Sequence, residues 1–341
     1  YLYVAAYQET SVPSGSGAIH IYKRNPSNGS WLFHTMLTAS SGGSFFGRNM
    51  DVSGDDIIDS SGYIFTRNPA TDTWAGTNIF TPVASDGGIV RVAISGDVAI
   101  MGYPQATTYS GPIAPGQSFK YQRGHVYVFT RNPATGTWSL QQTLLGNDHD
   151  SELFGLVMAI SGDYIVASSN DGSPSSGLGN QLYIYKRDPN LGSWSLSLRQ
   201  TVNALSLTHL SMSDDHIILG MSTDATGGTN SGTVNVYTRD GTSWPLTQRI
   251  IGELVGYYFG NSVHISGTNF LVHQAGSTGR NGSIHFYNLQ HSLEVSSPIS
   301  VFGTTLSFTG QHLCSPEGPM SQGLVVSANK NRYTTLNGPL A

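Results

Sequence analysis

The chain has 341 residues, 41 of them glycine, with 38% apolar residues, 11% charged residues and a net charge of −5. So few charges, scattered rather than clustered, argue against a nucleic-acid partner, and no apolar run approaches the roughly 18 residues of a membrane helix. The single cysteine, Cys314, excludes a disulfide within the chain.

In chain order, YLYVAAYQ at 1–8 reads as a strand, followed by AIHIYKR, a turn at NPSNG and a further strand from Trp31. FGRNMDVSGDDII from Phe46 is two short strands joined at a Gly-Asp pair, the composition of a tight hairpin turn. FTRNPATDTW at 65–74 is a second kind of hairpin, with turn chemistry at its Asn-Pro. The two motifs then alternate. VRVAISGDVAIMG from Val90 precedes FTRNPATGTW at 129–138, FGLVMAISGDYIVA from Phe154 precedes YKRDPNLGSW at 185–194, and LTHLSMSDDHIILG from Leu207 precedes YTRDGTSW at 237–244. FGNSVHISGTNFLV from Phe259 and FGTTLSFTGQHL from Phe302 continue the first motif.

All five tryptophans close a copy of the second motif. The pairs Arg24/Trp31, Arg67/Trp74, Arg131/Trp138, Arg187/Trp194 and Arg239/Trp244 read as a structural clasp, a guanidinium facing an indole across a hairpin. One repeat is thus four strands, A to D, of which A and B flank the SGD turn and C and D flank the Asn-Pro turn. Repeats of this size cannot bury both faces of their own sheet, so they point to radial stacking in an all-β propeller.

The order FG, then V-x-I-S-G-D, an apolar strand, a Gly/Ser-rich loop and a Y-V-F strand resembles the FG-GAP repeat of integrin α-subunit propellers and their secreted relatives. The resemblance covers nearly the whole chain and is clearest from Leu153 to Leu198. It implies a seven-bladed, extracellular propeller used for adhesion or ligand binding, often with calcium in blade loops. We expect a single domain over 1–341, with blades near 1–40, 41–85, 86–149, 150–202, 203–253, 254–299 and 300–341. Seven blades are preferred; six remain open if the strand near Phe302 pairs with residues 1–40. The first blade lacks its A strand, because YLYVAAYQ aligns with the B strand DYIVASSN at 163–170.

Calcium in that family sits in acidic D-x-D-x-D-G loops, since a hard cation needs several oxygen ligands. Here SSNDGSPSSG from Ser168 and STDATGGTNSG from Ser222 carry one aspartate each, so no cofactor is expected. The densest acidic group, Asp148, Asp150 and Glu152, is a weak candidate for a cation. Asn28-Gly-Ser and Asn281-Gly-Ser are acceptor sequons for N-linked sugar. No nucleophile elbow, zinc-protease motif, phosphate loop or C-x-x-C is present. The SGD aspartates Asp55, Asp97 and Asp163 recur with the fold and read as turn formers. His209, His216, His264, His273 and His285 read as packed or solvated strand residues.

The expectation is therefore a non-catalytic extracellular or cell-surface propeller that binds protein or glycan through its loops. The longest, at 102–124, offers Tyr103, Tyr109, Phe119 and Tyr121. The alternative is a structural subunit of a filament, coat or appendage, self-associating by strand or tail exchange. An enzyme ranks last.

Overall fold

A computed structural model describes residues 1–7, 17–39, 46–80, 91–108, 121–122, 124–146, 153–169, 180–202, 207–276, 282–289, 325–326 and 334–335. The described chain is all-β. Blade 1 contains β1 (Leu2–Ala6), β2 (Ala18–Arg24) and β3 (Trp31–Leu37); blade 2 contains β4 (Met50–Ser53), β5 (Asp56–Asp59), β6 (Tyr63–Asn68) and β7 (Thr73–Asn78). Blade 3 is built from β8 (Arg91–Ser95) and β9 (Val98–Tyr103), then, beyond the short pair β10 (Thr107–Thr108) and β11 (Tyr121–Gln122), from β12 (His125–Arg131) and β13 (Trp138–Leu145). Blade 4 is β14 (Met158–Ser161), β15 (Tyr164–Ser169), β16 (Asn180–Arg187) and β17 (Trp194–Val202). Blade 5 is β18 (His209–Ser213), β19 (His216–Met221), β20 (Thr233–Thr238) and β21 (Leu246–Ile251). Blade 6 is β22 (Phe259–Ser266), β23 (Asn269–Gln274) and β24 (Ser283–Asn288).

These are antiparallel meanders in chain order, and together they form a six-bladed propeller, the smaller of the two counts read from the repeats. Residues assigned to a seventh blade, 300–341, lie outside the described set apart from a short pair, β25 (Val325–Val326) with β26 (Thr334–Thr335). Among the described residues blade 1 has three strands, with β1 in the position of a B strand beside β2.

The core lies between blades rather than within them, because each sheet has two apolar faces and a neighbour on each side. Val98, Ile100, Val126 and Val128 of blade 3 meet Phe154, Ile165, Tyr183 and Trp194 of blade 4. The same seam recurs between blades 1 and 2, 2 and 3, 4 and 5, and 5 and 6. Trp138, Trp194 and Trp244 each pack on the preceding blade, so the tryptophan motif is an inter-blade bolt as well as a hairpin closure. A bulge recurs where strand C passes to its Arg-Trp end, at Ile21/Tyr22, Val128/Phe129, Ile184/Tyr185 and Val236/Tyr237. Such bulges sharpen the twist of an outer hairpin.

The FG signature has a physical cause at the blade 3–4 seam. Phe154 is fully buried, and its carbonyl lies 2.1 Å from where a Cβ on Gly124 would stand; Gly124 also has φ 76°. Only glycine admits both the backbone conformation and the approach. Blade 3 has no FG before its inner strand, and Phe80 fills the role, packing on Tyr103, Tyr127 and Phe129.

Candidate functional site

The inner strands β4, β8, β14, β18 and β22 leave one backbone edge turned toward the propeller axis, with amides that need acceptors. The preceding blade supplies several of them. Ser53 Oγ accepts from Gly96 N at 2.9 Å, Ser95 Oγ from Gly162 N at 3.3 Å, Ser161 Oγ from Asp214 N at 3.0 Å and Ser213 Oγ from Gly267 N at 2.9 Å. The serine of the SGD motif is thus an inter-blade latch. Two residues earlier in the strand, Asp51 Oδ2 accepts from Ile94 N at 2.9 Å and Ser211 Oγ from Ile265 N at 3.1 Å.

Counting back from that serine exposes the positions where blades differ. Two residues before it stand Asp51, Ala93, Ala159, Ser211 and His264; four before stand Asn49, Arg91, Val157, His209 and Ser262. Architecture is satisfied by alanine, serine or valine at these places, so Asp51, Arg91, His209 and His264 are surplus to it. They also sense one another. Burial raises the Asp51 carboxyl above the ordinary carboxylate range, opposed by the amides of Ile94 and Val52 and by nearby His264. Burial lowers Arg91, and the like charge of Arg48 adds to the effect. Burial also lowers His209 to about 4, with Arg91 and His264 acting in the same direction and a hydrogen bond to the Val263 backbone against it. His209 is therefore neutral at pH 7.

Asp51, Arg91 and His209 are crowded by protein yet keep part of their surface exposed, and His264 is exposed. This is the wall of a channel rather than a sealed core. Arg91 Nη1 donates to Asn49 Oδ1 at 2.9 Å, while Arg91 Nε and His209 Nδ1 are buried without a hydrogen-bond partner. The set brings together a carboxylate, imidazoles and a cationic fork. Such groups can move a proton and hold an anion. Among the described residues no group of three His, Cys, Asp or Glu is arranged to hold a metal.

The residues singled out from sequence fall elsewhere. Tyr103 is fully buried among Phe80 and Tyr127, in the core and not on a binding loop. Tyr109, Phe119, Asp148, Asp150, Glu152 and Asn281 lie outside the described residues, as does the side chain of Tyr121. Asn28 stands in an exposed turn, its Oδ1 accepting from Ser30 N at 3.0 Å and Ser30 Oγ at 2.8 Å. The clasp residues pair in register, Arg24 with Trp31, Arg67 with Trp74, Arg131 with Trp138 and Arg187 with Trp194. Their stronger partners are the SGD-turn aspartates: Arg67 Nε to Asp55 at 2.8 Å, Arg131 Nε to Asp97 at 2.7 Å and Arg239 Nε to Asp215 at 2.6 Å. Arg131 also lies 5.6 Å from the Trp138 ring, whereas Arg239 lies over Tyr164 and not Trp244.

No protein-family model matches the sequence, and no curated protein does. Solved structures do. One is a protein from Bacteroides uniformis, provisionally described as a 6-phosphogluconolactonase, at TM-score 0.55 and 17% identity, covering 95% of this chain and 87% of that one. Another is a protein from Lactobacillus plantarum, at TM-score 0.46 and 13% identity, covering 70% of this chain; this chain spans 65% of its length. At such identities the likeness is one of fold. It nonetheless corrects the expectation of a non-catalytic adhesion propeller or filament subunit, because a propeller of like fold is described as an enzyme.

Proposed function

We propose that the chain is an enzyme that hydrolyses a small polar ester or lactone at its inner strands. The observation that carries this reading is the polar set Asp51, Arg91, His209 and His264 at positions where other blades hold Ala93, Ala159, Val157 and Ser211. The Bacteroides uniformis protein of like fold lends support, its provisional description being a lactonase. The FG-GAP resemblance is kept as the finer reading of the repeat, on the shared contexts of Phe46-Gly47, Phe154-Gly155 and Phe259-Gly260.

In this reading Asp51 is the general base. Its raised pKa makes it a better proton acceptor than a solvated carboxylate, while His264 acts to favour its ionised form. Asp51 removes a proton from water, and the resulting hydroxide adds to the carbonyl carbon. The oxyanion so formed is stabilised by the imidazole N–H of His264, which lies near Asp51. Collapse breaks the ring C–O bond, and the alkoxide takes back the proton held by Asp51. The balance is one lactone and one water to one hydroxy acid.

The test is hydrolysis of aldonolactones, with and without a phosphate group, followed by pH-stat. Asp51→Asn is expected to cut kcat by about 10²–10⁴-fold, the usual contribution of a general base, while the fold is retained. A wild-type protein that opens none of the panel faster than buffer does would dismiss the reading.

A further inference from the structure

Arg91 is the least explained charge among the described residues. It opens β8 on the channel side, yet among the described residues its only side-chain hydrogen bond is to the neutral Asn49 Oδ1, at 2.9 Å, and its Nε is buried without a partner. The charge nearest in effect is a second guanidinium, Arg48, where a carboxylate would be expected. By contrast Arg67, Arg131, Arg239 and Arg249 each hold an aspartate. A half-buried cation left against a like charge is costly unless an anion arrives to share the site.

A second observation lies across the same region. His209, four residues before the latch serine of blade 5 as Arg91 is in blade 3, has a buried Nδ1 with no partner. The inner edge between them is donor-rich as well. Ala93 and Ala159 stand where Asp51 and Ser211 supply acceptors, so no side chain of the preceding blade at that position can accept from the amides of Ile160 and Met212. Guanidinium and backbone N–H favour a negatively charged oxygen, and His209 joins them when an arriving anion draws a proton onto its Nδ1.

We propose that Arg91, with Arg48 and His209 beside it, is the seat for an oxyanion group of the ligand, a phosphate monoester or a carboxylate, docked on the guanidinium fork from the channel. This deepens the hydrolase reading by assigning the substrate a negative charge, and rests on it only for the word substrate. The fork and the imidazole are fixed by their strands, so the anion would anchor one end of the molecule and leave the other toward Asp51.

The probe is inorganic phosphate, titrated into the intact chain by calorimetry and by thermal denaturation at constant ionic strength, with acetate in a parallel arm. Saturable binding is expected, together with a rise in Tm. Arg91→Gln should lose that binding by at least tenfold while melting no lower than wild type in anion-free buffer, because it removes a charge without a counter-charge. Asp51→Asn should bind phosphate as wild type does, so loss of hydrolysis and loss of the anion seat are separable. Stronger binding of phosphate than acetate assigns the seat to a phosphate monoester, and the reverse assigns it to a carboxylate. Absence of saturable binding by either anion, or unchanged binding in Arg91→Gln, overturns the proposal.

Discussion

Asp59 shows how one residue can tie the propeller's stability to pH. It ends β5 fully buried, with Oδ2 accepting from Gly47 N at 2.7 Å and Oδ1 from Ser61 N at 2.8 Å and Ser61 Oγ at 2.5 Å. Burial outweighs these donors and pushes its pKa to about 6. A carboxyl that holds its proton more tightly in the folded state than in the unfolded one stabilises the fold at low pH. That contribution is lost as pH rises from about 4 to about 6, and the shift corresponds to about 3 kcal/mol. Partly exposed Asp72 runs the other way: Lys23 and the hydroxyl of Tyr1 hold it well below the usual carboxylate range, so its contribution is lost as pH falls below about 4. Subtracting the Asp59→Asn melting profile from that of wild type isolates the first effect. The wild-type advantage at pH 4.5 should shrink by pH 7; a flat difference would contradict it. At the same scale, the channel residues were legible only by comparison of copies. Read singly, His209 and His264 look like any strand histidine; aligned on the latch serine, they stand where Val157 and Ala93 suffice elsewhere.

The blade is the element that repeats, and its two motifs are chemically coupled. The sequence pattern located both hairpins and the register of Arg131 opposite Trp138, but not the partner of the arginine, because the SGD aspartate is 34 residues away in the chain. Local reading sees a facing indole; the sheet brings the carboxylate. Arg131 has a further role that its sister arginines lack, since Nη1 reaches Asp56 of the preceding blade at 3.0 Å. Asp56 is buried, whereas Asp97 is half exposed. Removing the arginine strands a buried carboxylate, and Arg131→Met should cost about 3 kcal/mol. Asp97→Asn loses only an exposed ion pair and should cost less than about 1 kcal/mol. Urea denaturation that finds the two variants equal would place the energy in the turn rather than in the inter-blade contact.

At the scale of the whole molecule, the fold class was legible because the repeat is periodic, and the blade count was not because it depends on how the chain ends meet. Six FG-like segments can be counted when Phe302 is included, and residues 1–40 add a blade without one to make seven, while the described ring has six blades. What holds that ring is the succession of seams, each a nearest-neighbour contact, so stability should respond to seam geometry more than to hairpin geometry. Two glycines with nearly the same backbone conformation separate these terms. Gly136, at φ 72°, sits in the Asn-Pro turn of blade 3 with open space where a Cβ would go. Gly124, at φ 76°, begins strand C of the same blade beneath the Phe154 carbonyl, with no such space. Gly136→Ala incurs only left-handed strain, about 1–2 kcal/mol. Gly124→Ala incurs the same strain and must also force blade 4 away from blade 3, opening a seam that buries Phe154, Ile165 and Trp194. Its cost should exceed that of Gly136→Ala by at least about 2 kcal/mol, within the range for overpacking. Equal losses in thermal and urea unfolding would mean that the seams yield freely, and that the propeller is held by its hairpins instead.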